Sequence, residues 1–67
     1  MKIQLNRRSV EVEGDVLTVR LLLDRMNFSF PLIIVKVNGL LVPRDDYGKA
    51  SVHEGDRVEV IHLMSGG

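Results

Sequence analysis

One short segment of this chain has helical periodicity, and the residues on both sides of it alternate with period two. Between Thr18 and Met26 the apolar residues Val19, Leu22, Leu23 and Met26 fall at i, i+3, i+4 and i+7, a single stripe along one helix face. Thr18 suits the N-cap, because its hydroxyl can accept from a free first-turn amide. Asn27 suits the C-terminal end, and Pro31 blocks any continuation. A helix with one apolar stripe must bury it against another layer, and the remaining apolar residues are spaced for strands. The stripe therefore reads as core and not as a cofactor box.

Lys2-Ile3-Gln4-Leu5-Asn6 and Ser9-Val10-Glu11-Val12-Glu13 each alternate apolar with polar, with Asn6-Arg7-Arg8 as a polar break between them. They predict an antiparallel hairpin with Ile3, Leu5, Val10 and Val12 on its inner face. Arg7-Arg8 reads as a solvated turn, the alternative being a phosphate-binding pair. Gly14-Asp15 closes the second strand, and Phe28 and Phe30 are expected to tuck under the helix end, one of them partly exposed. Leu32-Ile33-Ile34-Val35-Lys36-Val37 is β-branched and nearly continuous in apolar character, as an interior strand is. Asn38-Gly39 is the strongest turn signal in the chain, leading into a short strand Leu40-Leu41-Val42 that Pro43 ends. Asp45-Asp46-Tyr47-Gly48 reads as a turn or a single 3₁₀ turn, and Glu54-Gly55-Asp56 as a tight turn before the final strand, Arg57 to Leu63.

The order strand, strand, helix, strand, short strand, final strand implies a right-handed crossover, with the last strand able to lie parallel to the first in mid-sheet. That is an α+β arrangement, a mixed sheet of four to five strands packed on one helix, the ubiquitin-like β-grasp. Residues 1–63 form the expected domain and residues 64–67 a C-terminal tail. Strand parity then sends Ile34, Ile61 and Leu63 away from the helix, an apolar patch that is costly to expose unless something docks there.

Size and charge narrow the function. Sixty-seven residues without cysteine make a single small domain that neither disulfides nor thiolate metal sites can staple. Nine basic and nine acidic side chains cancel, so no nucleic acid or anionic membrane partner is expected. The aromatics are Phe28, Phe30 and Tyr47, too few for a base-stacking platform. No apolar run has transmembrane length and the N-terminus lacks a signal-peptide core, so a cytoplasmic, monomeric domain is expected. His53 is expected to be exposed, and His62, on the parity of Val58 and Val60, to cap the core edge or face a partner. Neither histidine has ligand spacing, Asp45-Asp46 lacks a ligand loop, and no serine has a triad. The expectation is no metal site, no bound cofactor and no enzyme active site.

The stretch with chemical promise is Met64-Ser65-Gly66-Gly67. Paired glycines give the thinnest and most pliable backbone available, and four extended residues reach roughly 13–14 Å. Gly67 could bring a carboxylate into another protein's active site, with Gly66 and Ser65 threading the channel. Met64, Leu63 and Ile61 beside it, with Ile34 as a weaker member, are the candidate docking residues. The bland alternative is an incidental end on an interaction module.

Val37-Asn38-Gly39, Val42-Pro43-Arg44 with Tyr47 after it, Glu54-Gly55-Asp56-Arg57-Val58-Glu59 and the final Gly66-Gly67 together resemble the thiamine-type sulfur carrier proteins (ThiS), within the ThiS/MoaD group. The likeness runs over essentially the whole chain, and is loose only across Arg25 to Phe30. It implies that a ubiquitin-activating-type adenylyltransferase uses ATP to adenylate Gly67, and that sulfur from a cysteine-desulfurase-type persulfide donor then replaces AMP. It further implies that a thiazole synthase takes sulfur from the resulting thiocarboxylate. The molybdopterin-synthase small subunit and a ubiquitin-like protein modifier are the rival readings.

Overall fold

The computed structural model describes residues 1–28 and 32–63. The N-terminal hairpin pairs β1 (Lys2–Leu5) with β2 (Arg8–Glu11), Leu5 opposite Arg8, so the turn is Asn6-Arg7 alone and Arg8 already belongs to the strand. Both turn residues have positive φ, 49° and 68°, the geometry that matches the right-handed twist of the flanking strands. β2 ends at Glu11, short of the alternating run, although the Val12 N–H still donates to the Met1 carbonyl at 2.8 Å.

The helix α1 spans Val19–Arg25. Thr18 caps it as its position predicts, Oγ1 accepting from the Leu21 N–H at 3.2 Å. Two more of its free amides are satisfied from a distant loop: Val19 donates to Ala50 at 2.9 Å and Arg20 to Tyr47 at 2.8 Å. At the other end Asn27 takes a left-handed φ of 61°, while the Phe28 N–H donates to Leu23 and the Asn27 N–H to Asp24. That pair of bonds is a Schellman termination, so the helix stops on its own local chemistry before Pro31 is reached. Phe28 packs half-buried against the core as expected, whereas Phe30 and Pro31 lie outside the described residues.

β4 (Ile33–Val37) and β5 (Leu40–Val42) form the second hairpin across Asn38-Gly39, followed by a 3₁₀ turn at Arg44–Asp46. β7 (Arg57–His62) lies between β1 and β4, parallel to the former and antiparallel to the latter. The sheet order is β2-β1-β7-β4-β5. A feature not read from the sequence is a second, two-stranded ribbon of β3 (Val16–Thr18) and β6 (Ser51–His53). These runs are only three residues long, and their pairing is non-local, so periodicity cannot reveal them.

α1 covers one face of the main sheet. The core between them holds Ile3, Leu5, Leu22, Val35, Val58 and Val60, all at most 5% exposed, with Val19 and Val52 sealing the junction with the ribbon. No helix of the described residues is long and apolar enough to cross a membrane.

Candidate functional site

The site is built on β7, the central strand of the five. β7 meets β4 along five opposed pairs, from Ile33 with His62 to Val37 with Val58. Toward β1 its ladder is short, only Gln4 with Arg57 and Leu5 with Val58, because β1 turns at Asn6. The Asn6 side chain continues where the backbone leaves off: its Oδ1 accepts from the Val60 N–H at 2.8 Å. Past the end of β7, the Leu63 N–H donates to the Leu32 carbonyl at 2.9 Å, which fixes the chain at the point where it leaves the sheet.

Alternate residues of β7 divide between two faces. Val58 and Val60 enter the core, and His62 on the same parity lies exposed at its end, its ring centroid 5.7 Å from that of Phe28. On the opposite face Ile61 is 42% and Leu63 46% exposed, and Ile34 stands directly across from Ile61 as a half-buried neighbour. The parity reading thus places Ile34, Ile61 and Leu63 together. It missed Leu32 and Leu41, both exposed and on the same face, which widen the patch across β4 to β5. The signal for Leu41 was available in its pairing with Lys36, once the Asn38-Gly39 turn sets the register. Met64, Ser65, Gly66 and Gly67 lie outside the described residues.

The family-like motifs converge elsewhere, at the far end of β7. Asp56 accepts from the His53 N–H at 2.9 Å and from Asn38 Nδ2 at 3.1 Å, while Asn38 Oδ1 accepts from the Arg57 N–H at 2.9 Å. Glu54 Oε1 accepts from the Lys2 N–H at 2.8 Å, and the Gly55 N–H returns a bond to the Lys2 carbonyl. Gly55 has φ +83°, a conformation that glycine adopts without strain. Burial pushes the Asp56 carboxyl up, but the hydrogen bonds from His53 and Asn38, helped by the His53 imidazole 3.8 Å away, outweigh it and hold the pKa below its ordinary value. This cluster ties two turns to the start of β1. Among the described residues no three His, Asp or Glu side chains converge as metal ligands would.

Comparison with known proteins agrees with this architecture. The crystal structure of a thiamine biosynthesis protein (ThiS) from Geobacter metallireducens matches with a TM-score of 0.89 at 29% identity, over 100% of both chains. A solution NMR structure of a thiamine biosynthesis protein from the same organism matches at 0.82 and 29% identity, over 100% of this chain and 88% of that one. No curated protein sequence matches. The ThiS family model matches residues 3–67, which takes in both hairpins, the helix and the final run. By that match the chain belongs to the ThiS family, the sulfur carriers that its sequence resembles.

Proposed function

We propose that the chain carries sulfur as a thiocarboxylate on Gly67 and that other proteins catalyse every step. A carboxylate is a poor electrophile. A ubiquitin-activating-type adenylyltransferase would join the Gly67 carboxylate to AMP from ATP, releasing pyrophosphate. The outer sulfur of a persulfide on a cysteine-desulfurase-type donor would then displace AMP to form an acyl disulfide, which a second thiol would reduce, leaving the thiocarboxylate and a disulfide between the two thiols. The thiocarboxylate is a nucleophile, and a thiazole synthase would take its sulfur into the thiazole of thiamine. The chain itself is a co-substrate that binds no cofactor. Gly66 and Ser65 would thread the partner's channel, because side chains larger than these obstruct a close approach to ATP. Ile61, Leu63 and Met64, with Ile34, would dock.

The observation that carries this reading is the exit of β7 beside an exposed apolar patch, at Leu63, four residues before Gly67. Family membership supports the carrier role, and the two Geobacter structures, both of thiamine biosynthesis proteins, favour thiazole over molybdopterin as the sulfur's destination. The test is intact-mass measurement after incubation with ATP, an activating enzyme and a sulfur source. Replacement of one terminal oxygen by sulfur, absent when Gly67 is deleted, is the expected result. An unchanged mass under conditions that load a known carrier would refute the proposal, and an amide-linked adduct on a target lysine would instead mark a protein modifier.

A further inference from the structure

A second surface lies on the other side of the sheet. Leu5, Val10, Met26 and Phe28 line an open groove of about 290 Å³ between the first hairpin and the end of α1, with Asn6 and Arg8 at its rim. Its walls are apolar and its rim is cationic. The side chains of Arg7 and Arg8 have no hydrogen-bond or ion-pair partner among the described residues, and both residues are exposed. No acidic residue lines the groove. In a chain whose charges cancel overall, two adjacent unpaired arginines beside an apolar cleft form a local excess of one sign.

We infer that this groove docks an extended acidic segment of a partner protein, one aliphatic side chain entering between Val10 and Met26 and its flanking carboxylates meeting Arg7 and Arg8. The open shape of the groove favours a peptide side chain over a small-molecule ligand, since sites for the latter enclose most of the ligand. β2 also supports an extended partner: among the described residues it pairs only with β1 and is the outer strand of its sheet, the position at which strand addition occurs. The charge of the rim excludes a basic segment. This surface faces the helix side, whereas Ile61 and Leu63 face the opposite way, so the inference does not depend on the proposed docking patch or on thiocarboxylate chemistry.

The test is a ¹⁵N-detected titration of the full chain with the blocked peptide Asp-Glu-Leu-Glu-Asp at low salt, with Leu→Ala and all-Lys versions as controls. Shifts confined to Leu5 through Val10, Met26 and Phe28 are expected with the acidic leucine peptide and not with either control. Arg8→Glu should weaken binding by about fivefold or more, and Arg8→Gln by less, both effects fading as salt screens the pair. Arg8 is exposed and its side chain holds no partner among the described residues, so both variants should keep the native amide spectrum. Absence of shifts, shifts centred on Ile34, Ile61 and Leu63, equal binding of the lysine peptide, or indifference to Arg8→Glu would each overturn the inference.

Discussion

Replacing Asp56 by alanine tests whether the turn cluster at the start of β7 is held by the Asp56 carboxylate. The substitution removes two hydrogen bonds to a charged acceptor, from the His53 N–H at 2.9 Å and from Asn38 Nδ2 at 3.1 Å. Bonds to charged groups contribute about 1.5–3 kcal/mol each. The side chain keeps 19% of its surface exposed, and water can reach both donors once the carboxylate is gone, so the total falls below the roughly 3 kcal/mol that two such bonds would give at the low end, to about 2 kcal/mol. For a domain of this size that is a fall in Tm of roughly 8–16 °C, or a urea midpoint lowered by about 2 M. The pH dependence is the sharper part. Because the folded pKa lies below the ordinary 3.8, the unfolded chain binds the proton more readily in acid. The carboxylate's contribution is therefore complete above that value and is lost as pH falls through the depressed folded pKa. Urea unfolding of wild type and Asp56→Ala across this range should show the two curves converging in acid. A difference under about 0.5 kcal/mol near neutrality, or one that persists unchanged below the folded pKa, would refute the assignment.

Three further outcomes follow from the same geometry. Asn6→Ala strands the Val60 N–H where β1 has already turned away, and should cost about 1–3 kcal/mol by urea unfolding. Arg7→Gly relieves a non-glycine residue at φ 68° and should stabilise the hairpin by up to about 1 kcal/mol, read as a rise in Tm. Leu63→Asp places a charge at an exposed position of the apolar patch, so the amide spectrum should stay native while affinity for an activating enzyme falls; unchanged affinity would remove Leu63 from the docking surface.

Much of this fold was legible because the apolar residues fix both period and face. Val19, Leu22 and Leu23 declare the helix, Ile3 and Leu5 the first strand, and Asn38-Gly39 the register of the second hairpin. The β3–β6 ribbon was not legible, since Leu17 and Val52 are each a single buried residue in a three-residue strand, too little to show a period. Nor were the polar ties. Asn6 reads as a turn residue and is one, but its bond to Val60 spans 54 positions, and such a contact exists only once β7 has been placed beside β1. On the candidate site, parity located Ile34, Ile61 and Leu63, whereas Leu32 and Leu41 needed the sheet order before they joined them.

The motifs that carry the family likeness divide by what they do. Asn38, Glu54, Gly55 and Asp56 hold turns against one another and against Lys2, so their constraint is geometric: they keep β7 in mid-sheet with neighbours on both sides. Leu63, bonded to Leu32 at the edge of the apolar patch, is a fixed point, and four residues of sequence separate it from the end of Gly67. Their extended reach is at most roughly 14 Å. If the patch is the docking surface, as proposed, a partner that seats it would also bound where the Gly67 carboxylate can lie, and the partner's nucleotide site would have to fall within that radius. On that proposal docking and delivery would be one event, with the distance between them set by chain length and the anchor held by a strand whose opposite end is fixed by a pair of turns.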